Sequence, residues 1–258
     1  MSRTMNPTYD ERCRQEFSSL LMRVEHLFVN IDIGCPYGLP YVATFHQATF
    51  GPLSERAMEL FLASGYRRNG NCLYNMACSA CSACIPIRLH ISAFHPNRNQ
   101  RRVWAKNRDV VKSLLPLRVT EEDLNLCEKF LQARYPRENN TAKGYYRDFF
   151  LNRVVNTIQL QYRVGDRLVG TSIIDLGFNW MNAVYFYFDP DEARRSLGTY
   201  NILCLVDLCR EWEIEYLYLG YYIRAVPAMS YKAKFRPHYL LCGNEWRRGK
   251  DSTGPKAA

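Results

Sequence analysis

Three cysteines, Cys78, Cys81 and Cys84, fall within seven residues. That spacing lets three thiolates reach one soft metal ion. Zinc takes four ligands, and an iron–sulfur cluster commonly takes four cysteines. The fourth would come from Cys35 or Cys72. The competing expectation is three packed thiols and no metal. The histidines, at 26, 46, 90, 95 and 238, show no ligand spacing, and no cysteine has an obvious histidine partner. A second chemical centre lies near residue 189. The run Ala183–Phe188 ends at Asp189-Pro190, and a loop with Arg194 and Arg195 leads to Gly198. Tyr187, Asp189 and, beyond the next apolar run, Tyr222 are groups able to orient or polarise a substrate. A third feature is basic. The stretch from Arg98 to Lys112 holds Arg98, Arg101, Arg102, Lys106, Arg108 and Lys112 against one acid, Asp109. With Arg67, Arg68, Arg194 and Arg195 it forms a phosphate-binding surface, and Tyr66 and Trp104 can stack on unpaired bases. Its bland alternative is a solvated helix face. Gly165-x4-Gly170-Thr171-Ser172 mimics a phosphate loop but lacks its lysine and sits in a hairpin, so it is set aside.

The elements around these residues follow from periodicity. The aromatic and β-branched run at 183–188 suits a strand buried on both faces. Ile202, Leu203, Val206 and Cys209 recur at helical spacing to about Trp212, and Tyr216–Leu219 is a second buried run. Strand, basic loop, helix and strand make a parallel crossover, which places the helix N-terminus and both strand C-ends at one sheet edge, where α/β sheets bind ligands. Upstream, 157–164 and 168–176 form a hairpin. Helices are expected at 53–64, 99–115, 120–134, about 145–153 and 227–234. Further strands are expected near 26–29, 41–45, 85–91 and 239–242. Residues 65–71 read as a basic turn, 1–30 as a charged lead-in, and 247–258 as a disordered tail. The fold class is mixed α/β, with an N-terminal cysteine-bearing domain over 1–84 and a second domain over 85–258.

The chain has 258 residues, and 34 Lys and Arg against 25 Asp and Glu give a net charge of +9. Such a surplus favours a polyanionic partner. No apolar run approaches the roughly 20 residues of a membrane span, and the N-terminus lacks a signal-peptide core. A cytoplasmic protein with reduced or metal-bound cysteines is expected.

The loop Arg195-Ser196-Leu197-Gly198 resembles the pyrophosphate loop of the Gcn5-related N-acetyltransferase fold, Arg/Gln-x-x-Gly-x-Gly/Ala, which uses backbone N–H groups at a helix N-terminus. Tyr200 stands where the second small residue belongs and would crowd a pyrophosphate. The element order from Ile85 onward resembles the same fold. A more specific resemblance covers most of the chain. Residues 65–107 (GYRRNGNCLYNMACSACSAC onward), 185–223 (YFYFDPDEARRSLGTY onward) and 229–241 (MSYKAKFRPHYLL) are similar to the bacterial aminoacyl-tRNA–protein transferases, and within them to the aspartate/glutamate leucyltransferases. These are related to the eukaryotic arginyltransferases.

The resemblance implies transfer of leucine, or arginine, from aminoacyl-tRNA to proteins beginning with Asp or Glu, which marks them for N-end rule degradation. It implies no cofactor for the transfer itself. Eukaryotic relatives tie a Cys-x-x-Cys pair and a later Cys-Cys pair to an iron–sulfur cluster. This chain departs from that pattern: the first pair reads Cys35-Pro36-Tyr37-Gly38, and the Cys78, Cys81, Cys84 series replaces the second. Under this reading Tyr187, Asp189 and Tyr222 are the candidates for the chemistry, Asp189 by orienting the amine, with a helix or turn cap as its competing role. The acidic residue of the acceptor needs a cation, from Lys232, Lys234 and Arg236 or from Arg67 and Arg68. Tyr185, Tyr187 and Tyr218 would form the aromatic pocket for the amino acid. Arg98, Arg101, Arg102, Lys106, Arg194, Arg195 and Gly198 would meet tRNA. Competing readings are a coenzyme A-dependent N-acetyltransferase and a non-enzymatic RNA-binding module.

Overall fold

The computed structural model describes residues 8–137 and 139–249. The expected lead-in is a helix, α1 (Tyr9–Val24). Thr8 Oγ1 accepts the Glu11 N–H and the Glu11 carboxylate accepts the Thr8 N–H, a capping box that starts the helix sharply. Cys13 and Phe17 of α1 are buried, and Tyr9, Leu20, Leu21 and Val24 pack half-buried on the same core, an apolar stripe among charged residues. It packs on α2 (Glu55–Ala63), which Ser54 caps. Beside them lies a four-stranded sheet ordered β1 (Val29–Gly34), β2 (Val42–Thr49), β4 (Cys72–Met76), β3 (Arg67–Asn69). The strand expected at 26–29 therefore begins at Val29, and Arg67 and Arg68 stand in β3 rather than in a turn.

The main sheet has eight strands. It takes β5 (Ile85–His90), β6 (Val111–Pro116), β7 (Asn156–Val164), β8 (Arg167–Leu176), β9 (Trp180–Phe188), β10 (Tyr216–Tyr222), β11 (Tyr239–Cys242) and β12 (Glu245–Arg248), in the order β12-β11-β5-β10-β9-β8-β7-β6. The helix expected over 99–115 divides. Its first part is α3 (Arg98–Lys106), opened by an Asn97–Gln100 capping box. Asn107 ends it, and Val111 onward pairs with β7 as an edge strand, where Pro116 costs no ladder bond toward the centre. Arg247 and Arg248, expected to begin a tail, lie in β12 paired with β11. The rest of that expected tail, from 250 on, is outside the described residues.

One face of this sheet carries the largest core, in which Ile87, Leu89, Leu160, Tyr162, Met181 and Leu217 meet α6 (Leu197–Glu211). The opposite face is shared. α4 (Glu121–Arg134), α5 (Ala142–Tyr145) and the π-helical turn Tyr146–Phe150 cover Leu168, Ile173 and Tyr187. The N-terminal layer covers Trp180, Tyr216 and Tyr218 with Phe17, Phe61, Tyr66 and Leu73. The expected crossover is present: β9, α6 and β10 follow in order, and the two strands run parallel.

Candidate active site

β9 and β10 pair for three residues only, ending at Tyr218 opposite Asn182. Beyond that point the strands part. β10 also shifts register against β5 between Tyr218 and Tyr221, with Gly220 at φ +80°, a conformation that a side chain resists. Past the bulge Tyr221 faces Pro86, which has no N–H to donate.

Two cations take the carbonyls of these consecutive residues. Arg67 Nη2 donates to Gly220 O at 2.9 Å, and Lys232 Nζ donates to Tyr221 O at 2.9 Å. Arg67 comes from β3 of the small sheet. Lys232 comes from the turn Tyr231–Lys234 that follows the short helix α7 (Pro227–Ser230). Arg67 is 4% exposed and its ring neighbours are Tyr221 and Tyr218, at 5.4 and 5.9 Å. Among the described residues neither cation forms an ion pair. Burial and the nearby Arg67 pull the Lys232 ammonium down to about 7. The two other cations expected to read an acid, Lys234 and Arg236, are exposed.

Arg68, the next residue in β3, is a different case. Its guanidinium has no exposed surface and makes paired bonds of 2.7 and 2.9 Å to Asp175, itself fully buried in β8. Thr157 and Asn182 also donate to Asp175. Arg68 thus pins the N-terminal layer to the main sheet and is not available to a substrate.

The expected catalytic side chains are dispersed. Tyr187 is fully buried under α4, where its hydroxyl meets Tyr146 Oη at 2.5 Å and Asp123 Oδ1 at 3.0 Å. The Asp123 carboxyl group also accepts from Thr120, Thr171 and Gln161. The sequence shows Asp123 only as one acid in a helix's first turn; its burial comes from facing the polar positions of β7 and β8. Asp189 caps the turn Pro190–Arg195 by accepting from Asp191 N, and its two oxygens hold Lys129 at 2.6 Å and Arg167 at 2.7 Å. Burial opposes its charge, but those donors keep its carboxyl below the usual carboxylate range. Tyr222, half-buried, closes β10 beside the parted strands. The expected aromatic pocket does not assemble. Tyr185 and Tyr187 pack with Phe150 under α4, whereas Tyr218 lies beneath the N-terminal layer and takes a bond from Arg88.

The basic loop is held from α3. Lys106 donates to Arg194 O and Asn107 to Arg195 O. Arg195 is neutralised by Asp109 and Glu192. Arg98, Arg101, Arg102, Lys106, Arg108 and Arg194 are exposed. The Tyr200 ring is buried against Trp104 and Tyr162, so it does not crowd the loop as expected, and open space surrounds Gly198.

Cys35, Cys78, Cys81 and Cys84 border one cavity of about 30 Å³, and Cys72 is not among its lining residues. Burial and the other three thiols push Cys84 up to about 12. Among the described residues no group of three or more Cys, His, Asp or Glu side chains is placed to hold a metal ion.

A meander, a crossover helix and a parallel pair that parts beneath a basic loop form the acyltransferase-like arrangement expected from the sequence. The N-terminal model of the arginine-tRNA-protein transferases matches residues 33–102, and the C-terminal model matches 122–242. Aspartate/glutamate leucyltransferases are similar over most of the chain. That of Methylobacillus flagellatus is 36% identical, covering 71% of this chain and 75% of the relative. That of Gluconacetobacter diazotrophicus is 35% identical, covering 82% and 84%. That of Paramagnetospirillum magneticum is 30% identical, covering 88% and 95%. L-PGS from Bacillus licheniformis aligns in structure with a TM-score of 0.39 at 10% identity, covering 86% of this chain and 81% of the other. The chain belongs to the aminoacyl-tRNA–protein transferase family and is an aminoacyltransferase. No helix among the described residues is long and apolar enough to cross a membrane.

Proposed function

We propose that this protein moves leucine from leucyl-tRNA to the α-amine of polypeptides beginning with Asp or Glu, in the cytoplasm, and so directs them to N-end rule degradation. The observation that carries this reading is the match to relatives named aspartate/glutamate leucyltransferase along both halves of the chain. The chemistry is aminolysis of an ester that is already activated. The amine nitrogen bonds the leucyl carbonyl carbon, the ester C–O bond breaks, and the terminal ribose hydroxyl of the tRNA leaves with a proton that the amine gives up. An α-amine has a reference pKa of about 7.7–8.0, so part of it is neutral near pH 7 and no strong base is required. Neither ATP nor a metal is required for the step.

What the site must supply is position and a home for the oxyanion. Past Asn182 the β9 backbone has lost its β10 partner, and its N–H groups on that side are free to serve the oxyanion. Tyr222 stands beside this opening and touches the reacting ester. Tyr187 and Asp189 act as positioning residues, the first holding β9 to α4 and the second fixing the turn that leads to the basic loop. The exposed cations of α3, with Arg194, take tRNA phosphates.

The test is direct. Purified protein with charged leucyl-tRNA labels a peptide beginning with Asp or Glu and not one beginning with Ala; no labelling from leucyl- or arginyl-tRNA overturns the reading. Acetyl-coenzyme A leaves the melting temperature unchanged, whereas a rise would favour a coenzyme A-dependent reaction.

A further inference from the structure

Resting on that reading, we propose that Arg67 and Lys232 are the groups that recognise the side-chain carboxylate of the acceptor's first residue. They hold neighbouring carbonyls of β10 at the bulge where the sheet opens. The ligand class is a carboxylate on a short chain at a polypeptide N-terminus, and the amide analogues Asn and Gln are its discriminating controls.

Four observations carry the assignment. First, two cations occupy one enclosed place with no acid among the described residues to neutralise either. An unpaired charge away from water is costly, and a fold retains one where a ligand completes it. Second, the arrangement leaves a donor unsatisfied. Arg67 Nε is buried and unbonded while its two terminal nitrogens are engaged. Third, the wall is aromatic. Tyr37, Tyr74 and Tyr221 surround Arg67, and burial raises the pKa of all three, so they remain neutral phenols that supply donors and no counter-charge. Fourth, the two cations differ in exposure. Arg67 is buried, while Lys232 is only half-buried. The remaining groups on Lys232 are the Tyr221 carbonyl and Met229 Sδ, both neutral. A carboxylate there gains two charge-assisted contacts, whereas an amide presents an N–H₂ group to two donors.

The experiment uses the full-length protein, its Arg67→Gln and Lys232→Met variants, and peptides that differ only in a first residue of Asp, Glu, Asn or Gln. Peptide binding is measured by calorimetry without tRNA, and transfer kinetics with leucyl-tRNA. Wild-type protein is expected to prefer acids to amides. Either substitution raises KM for acidic acceptors about 10- to 100-fold, the range for one hydrogen bond to a charged group. KM for leucyl-tRNA stays unchanged, and the acid-to-amide preference collapses toward one. Variants that keep the preference overturn the assignment. So does a Lys232→Met variant that loses kcat equally on every acceptor, which would mark a general base instead. If wild-type protein transfers nothing yet binds acidic peptides through these side chains, the functional reading fails and the assignment holds. Should a variant fail to fold, amine acylation of wild-type protein near neutral pH decides. The Asp peptide shields Lys232 from acylation and the Asn peptide does not; equal labelling overturns the proposal.

Discussion

Arg67 and Arg68 are adjacent in β3, yet the two sides of that strand have opposite electrostatic fates. Successive strand residues point to opposite faces. Arg68 enters the seam with the main sheet and finds Asp175, with Thr157 and Asn182 satisfying the remaining lone pairs. Arg67 turns toward the β10 bulge and finds carbonyls, phenol rings and a second cation. The same side chain thus builds structure where its charge is answered inside the protein. On the proposed assignment, it meets a ligand where the charge is not.

The sharpest test of this contrast is stability. Arg68→Ala strands a buried Asp175 and is expected to cost about 3–5 kcal/mol by urea denaturation. Arg67→Gln is expected to cost only about 1–2 kcal/mol, because losing two bonds to carbonyls is offset by relief of an unanswered charge. Equal losses would show that both arginines are structural.

Lys232 extends the contrast into pH. Its folded-state pKa of about 7 lies below the unfolded value, so the unfolded chain binds the extra proton between pH 7 and about 10. Stability contributed by this group therefore rises with pH through that window. Between pH 7 and 9 the wild-type protein should gain roughly 1–2 kcal/mol relative to Lys232→Met, measured as the difference in unfolding free energy. A saturating acidic peptide should reverse the trend, since it favours the ammonium. The facing Tyr37, Tyr74 and Tyr221 phenols are all pushed up by burial and do not titrate below pH 9 to confound it.

Much of the molecule could be read from its sequence, and the parts that could not have physical causes. The parallel unit of β9, α6 and β10 was legible because both strands are unbroken apolar runs and the helix keeps its period. α1 was hidden because its apolar stripe, Tyr9, Cys13, Phe17, Leu20, Leu21 and Val24, is interleaved with charged and polar residues. The 99–115 stretch read as one helix because Asn107 is a weak stop on its own; what ends α3 is its side chain bonding Arg195 O across the fold. Arg67 and Arg68 were recognisable as a basic pair. Their division of labour was not, because it depends on alternation in a strand that looks like a turn. The aromatic pocket failed for a similar reason: Tyr185 and Tyr218 share a sheet face, but different layers cover them.

A smaller effect concerns Tyr187. Tyr187→Phe removes one bond to Asp123 and one to Tyr146, leaving other donors on Asp123. It should cost about 1 kcal/mol in thermal or urea unfolding. The least effect on folding, within about 0.5 kcal/mol, is expected for Arg101, Arg102 and Lys106 replaced together by Ala, since these are exposed cations. Their loss should appear in tRNA binding instead, flattening the logarithmic salt slope by about two to three for all tRNAs alike. An unchanged slope would make α3 a solvated face.

The bulge at Gly220 gathers contributions from distant parts of the sequence. Arg67 is synthesised with the small sheet, well before β10 and Lys232. A ribosome-bound fragment ending before residue 216 therefore lacks the carbonyls, the bulge and the second cation together. On the proposed assignment, such a fragment can carry the basic helix and still have no means to tell an acidic terminus from a neutral one. On that assignment, selectivity for an acidic terminus therefore waits until β10 and Lys232 have been made and packed against Arg67.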